Sequence, residues 1–460
     1  MQRPYFFLAL VFLTGLVPLI FGRFAYRKTK DVLHPSLFIG LLLFGVYSFI
    51  PFYLVITDPI GLQAYLTISQ LEFVQLFNLC GVTLICVGLI KGSRLFGRDK
   101  KSCYFQYLDY LDPVFLKKIR SAAIVCGLLG VVGYALGIIN SGGFIEAYSR
   151  AYGGGWDDSG YVRDAFWLTL PALIWFMISR SGKSIKTLDI ALYLLLSSPL
   201  MLQGLLGARR GPTFSVLFCL FLGWYFANCK RPKMSRFLAS GCGIIFLMLA
   251  LVTNRGEIYI GSDFDFRGVQ ESYTLQASSG NEFIYGAATI IHAKESNNFF
   301  YGRRLFIQVF VRAIPRVFWP NKYADASRYL GLSRNLEENV GVDRQAFIDT
   351  VGWIGPRGAA QGLIADAWLE FSWFAFFALF VIGYFYGWFW HKAMTQALPW
   401  MPVYILAASF SVYLVTQSLN AFAFRFLLTL GASWLIWRCG PYASFKLSKS
   451  WEESRHSDVD

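Results

Sequence analysis

Long apolar runs, broken by short polar segments, dominate the chain. Stretches of roughly 17–25 apolar residues suffice to cross the ~30 Å hydrocarbon core of a bilayer as helices. Eleven such runs are legible: residues 5–21, 37–56, 73–90, 121–139, 165–179, 190–206, 212–228, 237–252, 363–390, 399–417 and 422–437. The fifth is short. The ninth is too long for one straight span, so its start is expected at the interface. No strand-like alternation competes with them, and no internal repeat is visible. The predicted fold is therefore all-α: a polytopic integral membrane protein with about eleven transmembrane helices. Its parts are 1–252 with eight spans, a large extracytoplasmic loop at 253–362, three more spans in 363–440, and a tail at 441–460.

Orientation follows from the connecting segments, because Lys and Arg accumulate on the cytoplasmic side. Residues 23–36 carry four Lys/Arg, 91–120 carry eight, 180–189 carry three and 230–236 carry four, against none in 57–72 and two in 140–164. The N-terminus is expected outside and the tail after Trp437 in the cytoplasm. The first run, with no Ala-x-Ala site after it and Arg27-Lys28-Thr29-Lys30 close behind, reads as an uncleaved anchor. All eight cysteines (Cys80, Cys86, Cys103, Cys126, Cys219, Cys229, Cys242, Cys439) fall in runs or on the inner side. The outer loop is thus not held by disulfides. Its segments 282–292 and 305–319 look like helices lying in or on the membrane.

Composition agrees: 55% hydrophobic, 18% aromatic, 15% charged and mean hydropathy +0.46 exclude an ordinary soluble enzyme and a disordered chain. The net charge of +14 resolves, on this topology, into +15 inside and −1 outside, so it marks orientation and gives no reason to expect nucleic acid. The types divide as well. Inside stand 10 Arg and 14 Lys, outside 16 Arg and 2 Lys. A plainly solvated face has little reason to avoid lysine, whereas the planar guanidinium fork suits phosphate.

The unusual charges gather at the outer ends of the runs. Gly207-Ala208-Arg209-Arg210-Gly211-Pro212 is a tight turn between runs six and seven. Run eight exits into Asn254-Arg255-Gly256. Run nine opens with Asp366 and Glu370, four apart on one helical face. Arg425 lies about one turn below the outer end of run eleven. In the loop, Arg316 sits in Ile314-Pro315-Arg316-Val317-Phe318-Trp319-Pro320-Asn321-Lys322, and Arg357 in Gly355-Pro356-Arg357-Gly358. Charges at such depth are costly and usually functional. Snorkelling to headgroups, or pairing with Asp366 or Glu370, is the structural alternative for each arginine. Arg150 is a further outward candidate. Tyr148, Tyr152, Trp156, Trp319, Trp353 and Trp368 offer aromatic faces that suit sugar rings or belong to an interfacial belt. His292, in an apolar stretch, reads as structural. No nucleotide-binding loop, His-Glu-x-x-His, Cys-x-x-Cys or Gly-x-Ser-x-Gly motif occurs, so neither a metal nor another cofactor is expected.

The many-helix plan, the Gly-Ala-Arg-Arg-Gly turn, Asn254-Arg255-Gly256, Pro315-Arg316-x-x-Trp319-Pro320 and the segment from Gly362 to Ser372 together resemble the bacterial oligosaccharide repeat-unit (O-antigen or capsule) polymerases. In the last segment Asp366, Trp368, Glu370 and Ser372 depart from the family's Glu, Tyr, Asn and Gly. The resemblance implies a metal-independent membrane glycosyltransferase of GT-C-like architecture in the bacterial inner membrane. It would join oligosaccharide units carried on undecaprenyl diphosphate at the outer face, beside a chain-length regulator and a flippase of the same pathway. On that reading Arg209, Arg210 and Arg255 hold the diphosphate, Arg316 and Arg357 close over it, and Arg425 assists. Arg150 and Trp319 bind the diphosphate or the glycan. Asp366 or Glu370 orients or deprotonates the acceptor hydroxyl, or serves as an arginine's ion-pair partner. An O-antigen ligase and a lipid-linked sugar flippase remain alternatives.

Overall fold

The computed structural model describes residues 5–95, 112–150, 164–181, 183–184, 186–228, 230–254, 256, 258–261, 282–332, 344–353, 360–396 and 398–440. Every regular element among them is helical. Each of the eleven apolar runs coincides with a helix or with consecutive helices. Seven helices are long and apolar enough to cross a membrane: Tyr5–Thr29, Pro35–Thr57, Ile68–Gly92, Pro113–Asn140, Thr187–Leu205, Gly362–Gln396 and Leu419–Arg438. Ala165–Ser179, Met234–Met248 and Trp400–Thr416 are shorter apolar helices. Run seven forms Arg210–Ala227.

The fifth run is short for a physical reason. All of Thr169–Ser179 is buried, so this helix is wrapped by its neighbours along its whole length. Trp175 Nε1 donates to Ser433 Oγ at 2.8 Å, tying it to run eleven. A second tight seam joins runs three and nine. A Cβ on Gly88 would lie 2.3 Å from Phe380 O, and one on Gly383 would lie 2.2 Å from Ile85 O. Gly92 and Gly387 repeat the approach four residues on. Small residues at four-residue spacing let two helices touch backbone to backbone, as packing in lipid favours. The matched order of these contacts makes the two helices parallel.

The ninth run, whose start was expected at the interface, is broken into two helices, and residues 362–370 at its start are buried. Helix Gly362–Phe371 ends at Ser372, whose φ is +51°, and Ala375–Gln396 continues in a new direction after one 3₁₀ turn. Trp373, Phe374 and Phe377 at this elbow are exposed. At the other end of the bundle, the 30–34 connection is pinned inward. Asp31 takes Trp390 Nε1 at 3.2 Å and pairs with Arg231 Nε at 3.2 Å. His34 caps helix Pro35–Phe44 by accepting from Ser36 N, while its Nε2 meets Ser93 Oγ at 2.9 Å.

The loop expectation needs correction at one of its two segments. Glu282–Ser296 is a helix, but it is buried in the bundle, with residues 286–293 all inaccessible. Gly286 lets it approach Gln361, and its Ile290 carbonyl accepts from Trp368 Nε1 at 3.2 Å. His292 is buried against Phe347 and meets Thr350 Oγ1 at 2.6 Å. Segment 303–332 is a satellite with its own small core of Ile307, Val311 and Ala326.

Candidate functional site

The turn after Leu205 is shaped by close packing. Ala208 takes φ +46°, and Arg209 N closes the turn onto Gly204 O at 2.8 Å. Arg209 is extended and immediately precedes helix Arg210–Ala227. Gly211 has no room for a side chain: a Cβ there would stand 2.2 Å from Tyr413 Cζ. The turn therefore sits directly on Tyr413 of run ten. The positive charges of Arg425, Arg209 and Arg210 all act on that tyrosine.

Arg425 is the least compensated of these cations. Its guanidinium carbon lies 4.4 Å from the Tyr413 ring centre and 5.5 Å from that of Trp167. Nη1 donates to Ala421 O at 2.7 Å, while Nε is buried with no hydrogen-bond partner among the described residues. Arg210 is paired with Glu282, which the buried helix brings up to the turn.

A second basic group adjoins the first. Arg312 stacks 4.0 Å above Phe424, the residue next to Arg425, and pairs with Asp164 at 2.5 Å, three residues before Trp167. Arg316 is exposed nearby. Lys322 Nζ is drawn inward to Arg312 O at 2.8 Å and to Ile314 O. Burial, and then the charges of Arg316 and Arg312, lower the Lys322 pKa. Trp319 Nε1 donates to Asp325 Oδ2 at 2.7 Å. Residues 164–167 and 424–425 are shared between the two groups, so Arg209, Arg210, Arg312, Arg316, Arg425 and Lys322 face one end of the bundle.

Asp366 and Glu370 do not open onto this basic surface. Both are 0% exposed and grip Arg304, itself 1% exposed. Arg304 Nε reaches Glu370 Oε1 at 2.6 Å and Nη2 bonds Asp366 Oδ1. Gln361 also donates to Asp366 Oδ1, and Leu419 N to Asp366 Oδ2 at 2.7 Å. Asp366 thus has both oxygens engaged, which corrects the expectation of an acid poised toward substrate. Glu370 differs: among the described residues its buried Oε2 has no hydrogen-bond partner, and neither has Oδ1 of the neighbouring Asn420. Burial alone would lower the pKa of Arg304; the two carboxylates outweigh it and hold the guanidinium above its ordinary value. The triad ties loop residue Arg304 to the start of run nine, while Leu419 and Asn420 bring in the start of run eleven.

Arg255 and Arg357 lie outside the described residues, as do Tyr152 and Trp156. Arg150 is exposed at the end of a helical turn, Phe144–Ala147. Tyr148 and Trp368 are fully buried, and Trp353 stacks on Tyr65 at 4.9 Å, so their faces serve packing. Sequence reasoning passed over Arg304, Arg312, Tyr413 and Trp167. The available signal for Arg304 was the pair Asp366/Glu370 itself: two acids on one face of an apolar helix demand a cation. The chain matches no protein-family model, and comparison with characterised proteins and with solved structures finds no similar sequence or fold.

Proposed function

We propose that the protein is a polysaccharide polymerase of the bacterial inner membrane, with eleven spans and the large loop on the outer face. It joins oligosaccharide units carried on undecaprenyl diphosphate by glycosyl transfer. The observation that carries this reading is Arg425, a half-buried cation set against Trp167 and Tyr413 whose Nε has no hydrogen-bond partner among the described residues, beside the Arg209-Arg210 turn. An unmatched buried donor on a guanidinium is costly, and an anion would satisfy it.

In this mechanism the arginine turn and Arg425 hold the diphosphate, and Arg312 and Arg316 meet it from the loop. Fixed positive charge stabilises the leaving diphosphate as the glycosidic bond breaks, with no reorganisation at that moment. Arg255 and Arg357 keep their proposed places on the diphosphate, and Arg150 and Trp319 theirs on the diphosphate or the glycan. Glu370, inaccessible like Asp366, fixes Arg304 and does not meet the acceptor. Asp366 positions Arg304. The bond formed joins the acceptor oxygen to the donor's anomeric carbon; the bond broken is that between the anomeric carbon and the diphosphate oxygen, and the acceptor's proton leaves with the released undecaprenyl diphosphate.

The test is Arg425→Ala, Arg210→Ala and Arg316→Ala in a polymer-producing strain, at matched protein levels. Single-repeat glycolipid without long polymer is expected in each. Normal ladders in all three would refute the diphosphate clamp. Loss of transfer to a final lipid with polymer still made would assign the ligase reaction instead.

A further inference from the structure

Residues 303–318 carry two apolar faces, and the fold covers one of them. Ile307 and Val311 turn inward onto Ala326. Phe306, Phe310, Ile314, Val317 and Phe318 turn outward, following the i, i+4, i+8 positions of one helical face and the turn beyond it. Val317 is 90% exposed and Phe318 80% exposed, adjacent to each other at the tip. Phe306 and Phe310 lie against one another with ring centres 5.2 Å apart and tilted by 38°, without gaining cover. A contiguous exposed apolar ridge of this kind marks an interaction surface.

The surroundings identify the occupant. The segment starts against the elbow of run nine: Phe300 N donates to Leu369 O at 3.0 Å, and Gly302 stands against Phe371. There Trp373, Phe374 and Phe377 are exposed at the head of a membrane-length helix. On its other flank, Arg312 lies over Phe424 of run eleven. The ridge therefore continues the apolar faces of two helices long enough to cross a bilayer. Along its polar edge stand Arg312 and Arg316, the residue type suited to lipid phosphates at the headgroup boundary. We infer that residues 306–318 form a wedge that enters the leaflet on the loop's side, with Val317 and Phe318 deepest and Arg312 and Arg316 at phosphate level. Wedges of this design sink about 5–10 Å into the headgroup–acyl boundary. The inference rests on the membrane spans and not on glycosyl transfer.

Depth-dependent quenching tests it. Val317→Cys and, as an exposed polar control on the same satellite, Arg328→Cys are introduced into the full chain and labelled with a membrane-impermeant environment-sensitive fluorophore. The protein is then reconstituted in phosphatidylglycerol/phosphatidylethanolamine vesicles, and signal from the unsubstituted chain is subtracted. The probe at 317 is expected to be quenched several-fold more by a lipid spin-labelled near its headgroup than by aqueous iodide, with the order reversed at 328. Iodide quenching at 317 equal to that at 328 would overturn the wedge. Protection of 317 from both quenchers would also overturn it, since a protein surface would then cover the ridge. Labelling at 328 in intact cells separately checks the loop's side. Because the readout needs no polymer synthesis, failure here is distinct from failure of the polymerase reading.

Discussion

Removing Arg304 should unfasten the loop from the bundle. Arg304→Met keeps most of the side-chain volume but leaves Asp366 and Glu370, both 0% exposed, without their shared cation. Breaking one buried pair by removing a partner costs about 3–5 kcal/mol, because a charge is left uncompensated. Here two carboxylates lose one arginine, so the loss should reach at least that range unless one acid takes up a proton. Arg304→Lys should recover only part of it, since an ammonium cannot present the fork that spans both acids. The assay is thermal unfolding of the purified chain in one detergent, followed by tryptophan fluorescence. The triple variant Arg304→Met/Asp366→Asn/Glu370→Gln separates charge from packing. It should melt close to the native chain, because a neutral buried set of similar volume carries no unpaired charge. A native-like melting temperature for Arg304→Met alone would show the carboxylates to be solvated. A triple variant as unstable as the single one would assign the loss to packing.

Three further outcomes are expected. Gly88→Leu or Gly383→Leu places a side chain where backbone of the partner helix lies, 2.3 and 2.2 Å from a Cβ; overpacking costs about 1–3 kcal/mol or more, and yield of folded protein should fall while Gly431→Leu, with open space around it, is tolerated. Gly362→Ala forces φ +74° on an L-residue beside Tyr47 Oη, which costs roughly 1–2 kcal/mol and should lower the melting temperature by less than Arg304→Met does. Burial lowers the His34 pKa from 6.5 to about 3, so the unfolded chain binds the proton more readily and stability is lost as pH falls below 6.5. At pH 5 the loss is about 2 kcal/mol, and a His34→Gln variant should show a flatter stability profile between pH 7 and 5.

How much of this was legible in the sequence depends on what each feature needs. Apolar runs need only length and composition, so every one of the eleven has its helix; the excess length of run nine was legible, but its break at Ser372 and the burial of its start were not. Burial of Glu282–Ser296 was not legible. Its Glu282, His292 and Lys294 give it the mixed pattern of a surface helix, and only the neighbours reveal that Arg210 and Thr350 meet two of those residues. Asp366 and Glu370 were visible as a pair on one face, but which arginine answers them is a matter of tertiary distance: they lie 62 and 66 residues from Arg304. The turn at 207–211 was read correctly as tight. That Gly211 exists to admit Tyr413 could not be read from it.

The sharp excess of arginine over lysine on one side of the chain acquires a physical meaning in these contacts. Arg304, Arg312 and Arg425 each lie over an aromatic ring as well as binding an oxygen, at 4.9 Å from Phe300, 4.0 Å from Phe424 and 4.4 Å from Tyr413. A guanidinium can do both at once because its faces are weakly hydrated and its edge carries the donors. An ammonium has no such face. Lys322, the one lysine in the group, is consumed by backbone carbonyls and has its pKa pushed down by burial and by the neighbouring arginines. Stacking therefore fixes the guanidinium planes before any ligand arrives, and the Nε edge of Arg425 is what the proposed anion would meet. On this argument Arg425→Lys should be nearly as damaging as Arg425→Ala to polymer synthesis, even though the charge is kept. If Arg425→Lys instead supports polymer of normal length and yield, charge alone suffices at that position, and the stacked, pre-oriented fork contributes nothing to the reaction.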